Sequence, residues 1–418
     1  RSELQGSTDL GSQFITTMPP RLFHPPYAPT ERDVSSIARD WDEWHATLRR
    51  WAVFHNETIA NFLDGTNPYP RVLVYHPHGT EGLGNRLQSV VSAMFYAVTT
   101  GRAFLVKWPT EQVRYHLSDF LLPSADINWV WEDVDGVKTL DTLNSWRWEF
   151  GCNAECATNM ITSTEVDAFH VINYENPNGN LLSLFKSNRT EVFRRLFPRA
   201  PNRWVFAGAL LGTLLRPSAR LEKALSPWRK AMRDSYVIGL QVRHRVLPVD
   251  TARPVPEFRA DHFDMSHFDV LVQTLETLAE ERPDLTPKVF LFADHPETLP
   301  KLRKYLPTEF PNVSVISQQQ DVVVHSGAGF NTYEAMSLKE YRRGLIAAFV
   351  DFWLAGELDD MILSFSSTFG SLGYARSFAL GKGGVPTQVT CPDINLTDTR
   401  IAYELSATRT THPWFPSN

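Results

Sequence analysis

Residues 71–107 read RVLVYHPHGTEGLGNRLQSVVSAMFYAVTTGRAFLVK and carry the pattern of one complete supersecondary unit. The run RVLVYH at 71–76 is short and apolar, which predicts a buried strand. After the polar turn at 77–81, apolar residues recur at helical spacing until Gly101, and AFLVK at 103–107 predicts a second strand. We therefore expect a β-α-β unit with two parallel strands.

The same alternation resumes in the second half of the chain. Alternating strands and helices indicate an α/β fold with parallel sheets. The two β-α-β starts lie about 165 residues apart, which favours two doubly wound domains over a single barrel. A ligand is then expected at the carboxyl ends of strands, in the cleft between the domains. The pattern predicts strands at 236–242, 288–293 and 313–316, helices at 267–281, 296–305, 341–358 and 368–380, and an apolar piece at 361–365.

These patterns divide the chain into four parts. Residues 1–35 carry several prolines among polar residues and are predicted to form an extended arm. A helix over 40–63 leads into the N-terminal Rossmann-like domain, 36–225, whose middle third is too irregular for its topology to be predicted. The boundary is placed near Ser226, and the C-terminal Rossmann-like domain spans 226–390. Residues 391–418 are predicted to form a C-terminal tail.

The composition argues against two classes of protein. The 418 residues include 41 Lys and Arg against 47 Asp and Glu, giving a formal net charge of -6, which disfavours a nucleic-acid-binding protein. No stretch approaches the roughly 20 apolar residues that cross a bilayer. The richest one, 345–356, contains Asp351. We expect the chain as given to be soluble, with any signal or anchor segment lying upstream of it.

Two features of the sequence bear on the cellular compartment. Asn-x-Ser/Thr triplets, which are glycan acceptors in secretory proteins, occur at Asn56, Asn188, Asn312 and Asn395. The three cysteines fit either one disulfide with a remaining thiol or three thiols, and they form no zinc motif. These cysteines are Cys152, Cys156 and Cys391.

The turn Glu81-Gly82-Leu83-Gly84-Asn85-Arg86 lies between a predicted strand and a predicted helix. Glycines there let a ligand approach the backbone, and the amides and dipole of a helix N-terminus favour an anion. Leu87 stands where a dinucleotide fingerprint needs a third small residue, so a nicotinamide or flavin site is disfavoured. The alternative is a tight turn in which Gly is required for a positive φ.

Arginines follow the strand that opens the second half, in Gly239-Leu240-Gln241-Val242-Arg243-His244-Arg245. At the strand end, the planar guanidinium of Arg243 could bind two diphosphate oxygens at once, which a lysine cannot do. Arg245 points the same way in an extended chain. The alternative is an ion pair with Asp250 or Asp261.

Two more segments follow predicted strands. Asp294 could accept N–H donors from a guanine edge or bind a ribose diol, or it could cap the helix that follows. Ser367, Thr368 and Phe369 open the last predicted helix, where hydroxyls and amides could hold phosphate oxygens. The alternative there is an ordinary Ser or Thr N-cap.

No segment predicts a metal centre. Asp133 and Asp135 form an Asp-x-Asp pair that could hold a metal-bound nucleotide, but the pair stands beside Gly136 and favours a solvated turn. The acidic and histidine residues between 261 and 267 match no zinc spacing.

Several of these segments together resemble a known family. The run Gly82 to Leu87 with its helix, and Gly101-Arg102-Ala103-Phe104-Leu105-Val106 after it, are similar to the opening of inverting fucosyltransferases, especially the plant xyloglucan group. Gly239 to Arg243 resembles the family strand that ends in the diphosphate-binding arginine. Ser367-Thr368-Phe369-Gly370 resembles its late Ser-Thr-Phe-Gly turn.

The resemblance implies a GT-B fold, with two facing Rossmann-like doubly wound domains and a cleft between them. It implies GDP-fucose as donor substrate, no other cofactor, and no metal. Arg243 and the amides at Ser367 and Thr368 would meet the charge of the departing diphosphate, and Asn85 and Arg86 would line the cleft. His78 and Glu81 are candidates for the base that acts on the acceptor hydroxyl.

We therefore expect a glycoprotein enzyme of the Golgi lumen, a type II membrane protein whose anchor is absent from this chain, acting on an oligosaccharide or a cell wall polysaccharide. A homodimer is compatible with this interpretation. The alternatives are a GT-B transferase that uses another nucleotide sugar, a non-catalytic glycan-binding protein of the same fold, and a metal-dependent transferase built around Asp133 and Asp135.

Overall fold

The computed structural model describes residues 31–77, 82–124, 127–131, 145–148, 171–174, 203–242, 271, 275–276, 280, 283, 286–293, 298–318, 336–364, 367–379 and 387–389. Its helices are α1 Glu31–Leu63, α2 Leu83–Thr99, α3 Thr110–Val113, α4 Arg203–Leu214, α5 Ala219–Met232, α6 Thr298–Glu309, α7 Leu338–Ala355 and α8 Thr368–Ala379. Its strands are β1 Val72–Tyr75, β2 Ala103–Val106, β3 Leu121–Pro123, β4 Ser145–Trp148, β5 Val171–Tyr174, β6 Leu215–Pro217, β7 Tyr236–Val242, β8 Pro287–Ala293, β9 Ser314–Ser317, β10 Asp360–Ser364 and β11 Thr387–Val389.

The first sheet confirms the predicted β-α-β unit. Its strand order is β2-β1-β5-β4, and every pair in it is parallel, with Val72 opposite Ala103 and Val171. All of β1 and β2 is buried, as expected of short apolar strands that are covered on both faces. Helix α2 buries nearly its whole length beside them, from Leu83 to Thr99.

Helix α1 packs along the edge strand β2, and two of its side chains form hydrogen bonds with the backbone at that edge. The Trp51 indole N–H donates to the Arg102 carbonyl at 3.0 Å. The His55 ring accepts the Phe104 amide N–H at Nδ1, at 3.1 Å, and reaches the Asn128 carbonyl with Nε2 at 3.0 Å. Because a carbonyl can only accept, Nε2 carries the proton. Helix α1 begins at Glu31, inside the segment 1–35 that the prolines predict to be an arm.

The second sheet has the order β11-β10-β7-β8-β9 and is parallel throughout. The observed β7 coincides with the predicted strand at 236–242. Ile238, Leu240 and Val242 pack on one face of the sheet, against a cluster that includes Val289 and Leu302. The predicted α/β class with parallel sheets is thus confirmed in both halves of the chain.

The two halves share their largest cluster of buried side chains. A single cluster of buried side chains reaches from Leu73 and Leu87 in the first half to Phe290, Phe349 and Leu363 in the second. Ser226, where the sequence places the domain boundary, lies inside α5. The four domain ranges themselves remain a prediction.

Helices α7 and α8 belong to the second half of the chain and pack against the first half. The Tyr341 hydroxyl of α7 donates to the Val113 carbonyl at 2.7 Å. The rings of Phe120 and Phe349 stack with centroids 4.3 Å apart. Within the part of the chain that the structure describes, no helix is both long and apolar enough to cross a membrane.

Candidate functional site

Helix α2 begins at the carboxyl edge of the first sheet. Its N-cap is Gly82, which has extended backbone angles (φ -67°, ψ 158°), and no side chain caps the helix. Neither Gly82 nor Gly84 has a positive φ, since the described glycines with that conformation are Gly65 and Gly101. The tight-turn explanation of these glycines, based on a positive φ, is therefore wrong.

Gly84 is required by a close contact between two helices. A Cβ placed on Gly84 would lie 2.6 Å from both the backbone nitrogen and the Cα of Phe369, at the start of α8. No such contact exists in real structures, so only glycine permits this approach. The N-termini of α2 and α8, which come from opposite halves of the chain, therefore meet at Gly84.

Helix α8 opens with a capped first turn. Ser367 is 1% exposed and its hydroxyl accepts the Gly370 amide at 3.3 Å, while its carbonyl accepts the Ser371 amide at 3.0 Å. The N-cap interpretation of Ser367 is thus correct. Thr368 and Phe369 are half-buried, and the Phe369 ring packs edge-on against Phe352 with centroids 5.6 Å apart.

The carboxyl end of β7 lies beside the same turn. Gln241 is 7% exposed, and its side-chain oxygen fills the space that a Cβ on Gly370 would need. Gly370, in the first turn of α8, therefore packs on the strand that precedes Arg243. The structure thus brings together three of the predicted segments: the glycine turn, the Ser-Thr-Phe-Gly turn and the end of β7.

Arg86 lies in the core rather than on an open cleft wall, unlike the sequence-based expectation. Its side chain has no solvent-exposed surface. One guanidinium nitrogen donates to the Tyr115 hydroxyl at 3.0 Å, and the guanidinium carbon lies 5.1 Å from the centre of the Trp108 ring. Burial raises the pKa of Tyr115, and the charge of Arg86 opposes that rise. Stacking of a guanidinium on aromatic rings accounts for the placement.

The predicted donor-binding residues with some exposure are Gly82, Asn85, Thr368 and Phe369, which are all half-buried near the Gly84 contact. Five other predicted site residues lie outside the described residues: His78, Glu81, Arg243, Arg245 and Asp294. Asp133, Asp135 and the three cysteines lie outside them as well. In the described residues no group of three His, Cys, Asp or Glu side chains could hold a metal ion.

Sequence reasoning missed two features of this region. Gln241 could have been found from strand alternation, because it shares a face with Arg243 if the chain stays extended. The other feature is the contact of Arg86 with Trp108 and Tyr115. The sequence does not predict this contact, since aromatic residues are common in cores.

No family model matches the chain, and no curated protein sequence matches it. Solved structures do match. A GDP complex of a mutant of Arabidopsis thaliana FUT1 is 15% identical, with a TM-score of 0.51, and the match covers 84% of this chain and 78% of that one. This match establishes the fold as GT-B, as the resemblance implied.

Two other solved structures are less similar. The Bradyrhizobium fucosyltransferase NodZ is 16% identical with a TM-score of 0.40, over 73% of this chain and 92% of that one. POFUT1 in complex with GDP-fucose is 12% identical with a TM-score of 0.43, over 78% and 98%.

Proposed function

We propose that this protein is a glycosyltransferase that moves fucose from GDP-fucose to a glycan hydroxyl, with inversion and without a metal ion. The observation that carries the proposal is the meeting of α2 and α8 at Gly84 and Phe369, next to the end of β7. The FUT1 structure with the same fold holds GDP, which supports a nucleotide donor here. In open α/β sheets, ligands bind at the carboxyl ends of strands, where these three segments lie.

The donor diphosphate is the part of the substrate that this geometry suits best. Helix α2 starts without a side-chain cap, and α8 starts beside it, so the positive ends of two helix dipoles face one region. Arg243 follows Gln241 by two residues and would add a bidentate guanidinium. Together these groups would offset the charge that grows on the diphosphate as it leaves the sugar.

The other predicted residues complete the proposal. Asp294 would bind the guanine edge or the ribose, and Asn85 and Thr368 would flank the diphosphate. His78 or Glu81 would take the proton from the acceptor hydroxyl, which enters opposite to the leaving group. The oligosaccharide or polysaccharide acceptor, the Golgi lumen as location and a homodimer remain parts of the proposal.

Arg243→Lys tests the role of the guanidinium. It keeps the charge and removes the bidentate geometry, so the affinity for GDP should fall about tenfold to a hundredfold, which corresponds to losing one charged hydrogen bond. Isothermal calorimetry with GDP measures this. The matched control is Arg233→Lys, because Arg233 is exposed and precedes the opposite, amino end of β7. Equal GDP affinity in wild type and Arg243→Lys would contradict the role.

The donor and the metal requirement need a separate experiment. Donor hydrolysis should be fastest with GDP-fucose, and treatment with EDTA should leave the rate unchanged. A preference for a UDP-sugar would favour a GT-B transferase with another donor, and loss of activity with EDTA would favour the metal-dependent alternative. Oligosaccharide binding without any nucleotide binding would favour a non-catalytic protein.

A further inference from the structure

The triplet Asn312-Val313-Ser314 occupies an exposed turn of the second half. It follows α6 and leads directly into β9, which begins at Ser314. The Phe310 carbonyl accepts the Val313 amide at 3.0 Å, so Phe310 to Val313 form a closed turn with Asn312 near its tip. Asn312 and Ser314 are both exposed residues.

A second triplet, Asn56-Glu57-Thr58, has a different environment. It lies in the interior of α1, where the backbone amides and carbonyls form helical hydrogen bonds. Thr58 is 9% exposed, and its hydroxyl donates to the Phe54 carbonyl at 2.8 Å. The hydroxyl that an acceptor triplet must present therefore donates within its own helix at Thr58, whereas Ser314 is an exposed residue. Asn188 and Asn395 lie outside the described residues.

We propose that Asn312 is an N-glycan acceptor of this protein. Acceptor triplets are used on surface turns, where the asparagine amide and the hydroxyl two residues later are both accessible. The inference rests on the secretory location included in the proposed function, and it is independent of fucosyl transfer.

The position of Asn312 implies that a glycan there would leave the candidate donor site accessible. Strand β9 is parallel to β8 and β7, and Asn312 precedes its amino end. The candidate donor site lies at the opposite, carboxyl edge, beside Gln241 near the end of β7. A strand as long as β7 spans about 20 Å at roughly 3.3 Å per residue, so a glycan on Asn312 would point away from the donor site.

The test uses the whole 418-residue chain, secreted from eukaryotic cells behind a cleavable signal peptide. Enzymatic deglycosylation in heavy-oxygen water converts a glycan-bearing Asn to labelled Asp, which peptide mass spectrometry locates. We expect label at Asn312 in most wild-type molecules. Asn312→Gln and Ser314→Ala should abolish it, whereas Ser314→Thr, which keeps the hydroxyl, should retain it.

Unlabelled Asn312 in the secreted wild-type chain would overturn the proposal. Because the added signal forces entry into the secretory pathway, this result would not depend on the native location or on any enzymatic activity. A second readout checks the placement: GDP affinity of the glycosylated wild type and of Asn312→Gln should agree within about twofold. A loss of GDP binding in that variant, with its thermal unfolding unchanged, would contradict a glycan on the edge away from the site.

Discussion

Gly84 is the residue at which the geometry of the candidate site is most sensitive. Its missing side chain lets the first turn of α2 touch the backbone of Phe369 in α8. Backbone atoms cannot rotate aside as a long side chain can, so any larger residue must push the two helices apart. The Gly84 contact thus fixes the spacing of the two N-termini proposed to hold the diphosphate.

Gly84→Ala should lower the free energy of unfolding by about 1–3 kcal/mol, the usual cost of overpacking, and should weaken GDP binding as well. Urea unfolding followed by fluorescence gives the first value, and calorimetry with GDP gives the second. The matched control is Gly212→Ala in α4, where an added Cβ meets no atom within 4 Å. It should stabilise the protein by about 0.5–1 kcal/mol, since alanine is the better helix former. Equal stability of Gly84→Ala and wild type would show that the helices can separate freely.

Among the elements, α1 and the edge strand β2 depend on a buried histidine. Burial lowers the pKa of His55 to about 4, and its bond to the Asn128 carbonyl opposes that shift. In the unfolded chain the pKa of a histidine is near 6.5. The unfolded state therefore binds a proton first as pH falls, so the stability that neutral His55 contributes is present above pH 6.5 and is lost between pH 6.5 and 4.

The lost stability should amount to about 3 kcal/mol over that range, at about 1.4 kcal/mol for each unit of pKa difference. Measuring the free energy of unfolding from pH 4 to 8 in wild type and His55→Gln isolates the effect. The variant should be less stable at pH 8 and should have a flatter slope below pH 6.5. The same slope in both proteins would mean that His55 does not titrate on unfolding.

Whether the sequence alone predicts a strand depends on how that strand is buried and paired. β1, β2, β7 and β8 were predicted within one or two residues, because strands covered on both faces are continuous apolar runs. β5 was missed, although it is central in its sheet: Val171–Tyr174 includes Asn173, and its pairing with β1 joins segments about a hundred residues apart. Pattern reasoning has no access to such long-range pairs.

The same limit applies to the candidate site. The glycine turn and the Ser-Thr-Phe-Gly turn were identified from their positions after strands. Their contact through Gly84 and Phe369 was not predicted, since it joins opposite halves of the chain. The burial of Arg86 was not predicted either, because its aromatic partners are distant in sequence.

The buried cluster that both halves share predicts that the protein unfolds as one cooperative unit. Side chains from β1, α2, β8 and α7 belong to a single buried cluster, so neither half can unfold and leave the other half's core intact. Differential scanning calorimetry should show one transition, with equal calorimetric and van't Hoff enthalpies. GDP at a hundred times its dissociation constant should stabilise that transition by about 3 kcal/mol. Two separate peaks, of which GDP moves one, would indicate independent domains.

The return of α8 onto the first half also affects folding during synthesis. Gly208 of α4 packs so closely on Ala375 of α8 that a Cβ there would overlap the Ala375 carbonyl, and α2 is covered by the same helix. The ribosome finishes α4 long before it reaches α8. At about 5–20 residues per second the interval is roughly eight to thirty seconds. Throughout that time the apolar faces of α2 and α4 lack their native cover, so we expect the nascent chain to be a substrate for chaperones until translation nears its end.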